Sequence, residues 1–154
     1  MPVRQRKPIR PPALLNGLKF RSPTLLSGLT SRDRAEVTDA VWRISTDTSE
    51  AGFASGMESL ADFRDRGALR VAVPAIVRGD ESEAVRRLLL RAREAGVARF
   101  EIANVNGFCL FADAFGADWM GRLDVTGDWP LYVTNRQAAQ QWIALGVRDR
   151  KSVV

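Results

Sequence analysis

LRVAVPAIV at residues 69–77 is an almost unbroken apolar run, as expected of a parallel strand that is buried on both faces. Pro74 lies within the run and predicts that the ladder ends or bends there. Residues 82–95 (SEAVRRLLLRAREA) follow, with apolar side chains at helical spacing and Gly96 as the stop. The stripe comprises Val85, Leu88, Leu89 and Ala92. RFEIA at 99–103 is the next expected strand, so this region predicts a βαβ unit in a parallel sheet.

The same alternation of strand and helix patterns extends in both directions from this unit. Further strands are expected at 24–29, 41–45, 119–125 and 131–134, with the start of another at 152–154. Helices are expected after Thr30 or Ser31, up to Gly67, at 108–115, and between Asn135 and Gly146, whereas 46–55 is expected to be a loop.

About six parallel strands predict a partial (β/α) TIM-barrel-like domain over residues 24–154, because a complete barrel typically takes about 250 residues. An open flavodoxin-like sheet of about five strands is the alternative.

The basic residues are concentrated at the amino terminus. The chain has 23 Lys and Arg against 18 Asp and Glu, and six of the basic residues precede residue 22 with no acid among them. Four prolines also precede residue 22, so residues 1–23 are predicted to be a basic, Pro-rich arm or linker. Such an arm either contacts nucleic-acid phosphates weakly or is simply solvated.

Composition also restricts the chemistry. The chain has no histidine, which excludes a Ser-His-Asp or Cys-His arrangement built from it alone. Its one cysteine, Cys109, can neither form an intrachain disulfide nor hold an iron–sulfur cluster, so no cofactor is expected within this chain. Phe108, Phe111 and Phe115 suggest that Cys109 is a buried structural thiol. A single thiol and the lack of a long apolar run favour a cytoplasmic protein that does not span a membrane.

Candidate ligand-binding residues follow from the rule that parallel α/β folds place their sites at the carboxyl ends of strands. The rule selects Arg78, Asn104, Asp128 and Asn135. Asn104 has an alternative role in closing a turn, and Asn135 an alternative role as a helix N-cap.

Two further groups of charges have competing explanations. Asp124 and Asp128 could be paired carboxylates on one rim, although both flank a Gly/Pro turn where Asp is common for conformational reasons. Glu101 lies in an apolar strand two residues after Arg99 on the same face, so a structural pair between them is expected. No catalytic residue is predicted from the sequence.

The second half of the chain resembles a known family. Residues 69–147, and above all GDWPLYVTNRQAAQQWIALGV from Gly127, are similar to the collagenase-like peptidases of unassigned catalytic type, peptidase family U thirty-two. Tyr132 stands where the family usually has Asn, and Arg136 where Ser is common. The matching positions are Pro74, Asn104, Gly107, Asp128, Leu131, Val133 and Asn135.

The resemblance implies a barrel-like domain of a hydrolase, or of a protein of RNA or quinone hydroxylation, whose relatives use iron–sulfur clusters. Later Ser-x-Glu-like and cysteine-bearing segments of the family have no counterpart here, so this domain is expected to be incomplete and not catalytic by itself. The alternative is a non-catalytic binding or scaffold half-barrel that self-associates, or completes a partner chain, through an open sheet edge. A small-molecule enzyme on an open α/β sheet is a third hypothesis.

Overall fold

A computed structural model of the chain describes residues 17–128 and 135–148. Five parallel strands form one sheet: β1 (Gly17–Phe20), β2 (Asp39–Arg43), β3 (Leu69–Ala72), β4 (Arg99–Ile102) and β5 (Asp124–Gly127). The helices are α1 (Ser31–Glu36), α2 (Glu50–Ser59), α3 (Ala61–Asp65), α4 (Ser82–Glu94), α5 (Asn106–Phe115) and α6 (Arg136–Ala144). The α/β class expected from the sequence is confirmed, and no helix in the described part is long and apolar enough to cross a membrane.

The strands lie in sequential order, each hydrogen-bonded to the strand before it and the strand after it. Neighbouring strands of a (β/α) barrel have this order, whereas a flavodoxin-like sheet has the order 2-1-3-4-5. Over the described residues the sheet is open and parallel throughout.

The sheet begins earlier than the sequence pattern indicated. β1 lies within the segment 1–23 that was expected to be an arm, and the strand expected at 24–29 is wrong, because a 3₁₀ turn occupies Pro23–Leu26. Pro23 suits the first turn of a helix, since it has no N–H to donate to a ladder. Residues 1–16 lie outside the described residues, so the arm and its nucleic-acid contact stay predictions.

Several other boundaries differ from expectation. Residues 46–55 are only partly loop, because α2 begins at Glu50 after Ser49 accepts a hydrogen bond from the Gly52 amide at 3.0 Å. Within 119–125, a 3₁₀ turn covers Trp119–Gly121 and β5 begins only at Asp124. The strands expected at 131–134 and 152–154 fall outside the described residues.

The βαβ unit at the centre of the sheet agrees with its sequence pattern. Helix α4 buries the four stripe residues and is followed by Gly96 with a φ of +94°. Strand β3 ends two residues before Pro74. Thr30 caps α1 through a reciprocal pair of hydrogen bonds with Asp33.

Alternate strand residues pack against the helices and form the main core. Trp42, Val71, Phe100 and Val125 belong to this buried face. On each strand, the residues that alternate with these core residues point to the opposite face of the sheet. They include most of the charged side chains of the strands.

That opposite face is concave. Adjacent strands are about 4.8 Å apart, so a flat sheet would separate β1 from β5 by about 19 Å. Lys19 on β1 nevertheless forms ion pairs with Glu101 on β4 and with Asp128 directly after β5. The sheet must therefore curl strongly towards these side chains.

Candidate functional site

The concave face carries two charged clusters at different heights along the strands. The carboxyl-end cluster comprises Lys19, Arg43, Glu101 and Asp128. The amino-end cluster comprises Asp39, Arg70, Arg99 and Asp124. Each cluster contains two cations and two carboxylates. The first lies towards the strand ends at which parallel α/β proteins place their sites.

In the carboxyl-end cluster, two cations converge on one carboxylate oxygen. The Lys19 Nζ lies 2.6 Å from Asp128 Oδ2, and the Arg43 Nη2 donates to the same oxygen at 2.9 Å. Lys19 also donates to Glu101 Oε1. Asp128 thus holds Lys19 and Arg43 side by side, against the repulsion of their like charges.

In this cluster the two carboxylates are buried and the two cations are partly exposed to solvent. The side chains of Glu101 and Asp128 are only 3% and 6% exposed, whereas those of Lys19 and Arg43 are 25% and 33% exposed. A ligand that approaches from solvent would meet the ammonium and guanidinium groups first. The cluster is therefore suited to anionic or hydrogen-bond-accepting ligands.

The amino-end cluster has the character of a structural network. Arg70 is 1% exposed and donates to the carbonyl oxygens of Phe100 and Asp124 at 2.8 and 3.1 Å. Its guanidinium also lies 3.4 Å from Asp39 and 3.3 Å from the Asp124 carboxylate. Burial lowers the pKa of Arg70, and the two carboxylates partly oppose that effect. In a β/α architecture, this end of the strands contributes to stability rather than to chemistry.

The two clusters change the pairing expected from the sequence. Asp124 and Asp128 do not form a carboxylate pair, because one begins β5 and the other follows its end. Arg99 and Glu101 share a face as expected, but Arg99 binds Asp39 and Asp124, while Glu101 binds Lys19. Residues two apart on a strand are about 6.6 Å apart along it, so partners on other strands can be closer.

The structure places the four candidate residues in different surroundings. Asp128 belongs to the carboxyl-end cluster. Asn104 donates from its side-chain amide to the Ala75 carbonyl, which links two loops at the carboxyl ends of β3 and β4. Asn135 accepts the Ala138 amide at 2.9 Å and so caps α6.

Arg78, the remaining candidate, is exposed in the loop between β3 and α4. Its backbone amide donates to Glu81 Oε2 at 2.8 Å. That hydrogen bond is the main reason why the pKa of Glu81 is lowered.

Lys19 and Arg43 were not among the candidate residues expected from the sequence. Each lies on the concave face of a short strand, GLKF or DAVWR, whose other face is apolar. The signal that could have identified them is a charged residue that alternates with apolar residues within a short strand.

The donor set does not fit an iron–sulfur cluster. Cys109, expected to be buried, is exposed on α5. The buried face of that helix contains Gly107, Leu110 and Phe111, and at about 100° per residue Cys109 points to nearly the opposite side of the helix. In the described ranges, no group of three His, Cys, Asp or Glu residues could hold a metal ion.

Comparison with known proteins adds no relative: no family model, curated protein or solved structure matches the chain.

Proposed function

We propose that the chain is part of a (β/α) barrel of the collagenase-like peptidase type, and that its concave face binds peptide substrates. The sequential strand order and the strong curl of the sheet support a barrel origin. The likeness of residues 69–147 to that peptidase family supports the substrate class.

The carboxyl-end cluster is the observation on which this proposal depends. It joins residues from β1, β2 and β4 with one that follows β5, and it lies towards the strand ends where barrel enzymes bind substrate. Its partly exposed cations offer donors to the carbonyl and carboxylate oxygens of a peptide.

We expect binding without autonomous hydrolysis. Lys19 forms ion pairs with both Glu101 and Asp128, so neither carboxylate is available as a general base to activate water. The sequence has no histidine, and Cys109 is on the convex, helical side of the sheet. Peptide cleavage would need groups from a further segment or a partner chain. The hydroxylation roles of the family are less well supported, because the sequence has one cysteine and the described residues contain no group of three metal ligands.

The test is a titration of isotope-labelled protein with peptides from digested gelatin, followed by NMR and by an assay for newly released amines. We expect amide shifts at Lys19, Arg43, Glu101 and Asp128, with no amine release. Arg43→Gln should weaken binding, whereas Arg86→Gln, which removes a charge of similar exposure on α4, should not. Shifts confined to the helical side would refute the proposal.

A scaffold role is the alternative, favoured by the edge of the sheet. Among the described residues, β1 pairs only with β2, and its other edge has no strand beside it. Such an edge can accept a strand from a second copy or a partner. Light scattering after size-exclusion chromatography distinguishes the two functions. A stable dimer of 17.0 kDa chains supports the scaffold role, and a monomer that binds peptide supports the peptide-binding role.

A further inference from the structure

Two apolar side chains are unusually exposed at the carboxyl ends of the central strands. Ile76, in the loop between β3 and α4, is 77% exposed, and Val105, between β4 and α5, is 65% exposed. Neither side chain contributes to the core. Apolar groups left in water beside a candidate site are a common feature of binding surfaces.

Side-chain amides fix the two loops next to each other. Asn104 donates to the carbonyl of Ala75, and the Asn106 amide nitrogen lies 3.5 Å from the carbonyl oxygen of Val77. The two acceptors flank Ile76, and the two donors flank Val105. Ile76 and Val105 therefore belong to one ordered lip, which we call the apolar lip.

The strand register puts the apolar lip close to the carboxyl-end cluster. Arg43 is aligned with Ala72 on β3, and Ala72 with Glu101 on β4. Ile76 and Val105 each lie four residues beyond this row in sequence. Four residues span at most about 14 Å, so a short peptide can contact both the row and the lip.

Arg43 has donors left for a ligand. Its Nη2 binds Asp128 Oδ2, and no other acceptor in the described part of the chain contacts its guanidinium. A guanidinium has five N–H donors arranged as a planar fork that matches a carboxylate.

We propose that this site selects acidic peptides, with a ligand carboxylate on Arg43 and a neighbouring apolar side chain on the apolar lip. The inference rests on the proposed function and specifies its substrate class. Charge complementarity favours this occupant, because the exposed layer of the cluster is cationic and its carboxylates are buried.

The experiment measures fluorescence anisotropy with labelled Gly/Ser-based peptides that contain one leucine and one glutamate. The spacing between the leucine and the glutamate is varied from one to three residues. Twin peptides replace the glutamate with glutamine or the leucine with serine. We expect each twin to bind about tenfold more weakly, since each loses one of the two contacts.

Protein variants test the same two contacts from the other side. Arg43→Gln should abolish the preference for glutamate over glutamine, and the double variant Ile76→Ser, Val105→Ser the preference for leucine over serine. The controls are Arg86→Gln at a partly exposed position on α4 and Ile143→Ser at an exposed position on α6, and both should keep both preferences. The comparison of twin peptides uses the unaltered protein, so it remains valid even if a protein variant fails to fold.

Equal binding of all peptides by the unaltered protein would overturn the inference. If gelatin peptides still shift the amides of the carboxyl-end cluster, the proposed function survives that result. If they bind nowhere on the concave face, the proposed function fails as well.

Discussion

Gly56 shows how a single missing side chain fixes the position of helix α2. A Cβ atom there would lie 2.5 Å from Cη2 and 2.8 Å from Cζ2 of Trp42. The indole cannot easily move away, because it stacks on Phe53 at 5.0 Å and donates to the Arg21 carbonyl at 3.1 Å.

Gly56→Ala should therefore destabilise the protein by about 1–3 kcal/mol through overpacking, despite the better helix propensity of alanine. Urea unfolding measures this. Gly28→Ala is the control, since a Cβ at Gly28 meets nothing within 4 Å. Equal midpoints for the two variants would contradict the packing argument.

The ion pair between Arg34 and Asp62 predicts a specific pH dependence. The Arg34 guanidinium donates to both oxygens of Asp62, at 2.6 and 2.9 Å, and this hydrogen bonding is the main cause of the lowered pKa of Asp62. A lowered folded-state pKa stabilises the protein above the unfolded value of about 3.9, and that stability is lost as the pH falls through the folded value.

Because Asp62 is 44% exposed, solvent screens the pair and Asp62→Asn should cost only about 0.5 kcal/mol at pH 7. The variant should also show a smaller drop in the free energy of unfolding between pH 5 and pH 2. Glu36→Gln, which affects an exposed pair with Arg32, is the control. An unchanged acid profile in Asp62→Asn would show that other carboxylates dominate it.

At the scale of the strands, Arg70 binds four elements together. From β3 it contacts the first residues of β2 and β5 and a carbonyl of β4. Its removal would leave Arg99 as the remaining described cation beside the two carboxylates, and would take one donor from each of the Phe100 and Asp124 carbonyls.

Arg70→Met should cost about 3–5 kcal/mol in urea unfolding, because it breaks a buried pair by removing one partner. Arg70→Lys retains the charge but not the fork, and should cost less. Arg70→Lys also provides a measurement if Arg70→Met fails to fold. Equal losses for Met and Lys would show that geometry, and not charge, accounts for the whole effect.

Elements with a long periodic pattern could be predicted, and short ones could not. Helix α4 has four buried residues at i, i+3, i+4 and i+7, so its sequence alone specifies the buried face. Strand β1 has four residues next to a basic, Pro-rich segment, and its parallel pairing with β2 is what makes it a strand. Local propensity is weak evidence when pairing with a distant segment decides the conformation.

At the scale of the whole molecule, the candidate site could be located but not assembled from the sequence. The rule of carboxyl strand ends selected Asp128, which does lie in the cluster. The partner Lys19 is 109 positions away, and only the curl of the sheet brings the two residues together. Pairings of this kind depend on tertiary geometry, which strand periodicity does not contain.

Lys19 should accordingly control the closure of β1 onto the rest of the sheet. Lys19→Met leaves Glu101, which is 3% exposed, without its one partner in the described chain, while Asp128 keeps Arg43. A buried carboxylate that loses its partner is strongly unfavourable, so we expect a loss of about 3 kcal/mol. Adding Glu101→Gln removes the uncompensated charge, so the double variant should be more stable than Lys19→Met alone.

Hydrogen exchange then shows where the loss occurs. In Lys19→Met, exchange should accelerate in Gly17–Phe20, because β1 is an edge strand whose concave side is held by this side chain. Leu69–Ala72, at the centre of the sheet, should remain protected. Uniform acceleration in both strands would mean that Lys19 supports global stability only. A single variant as stable as the double one would mean that the ion pair does not hold the sheet in its curled form.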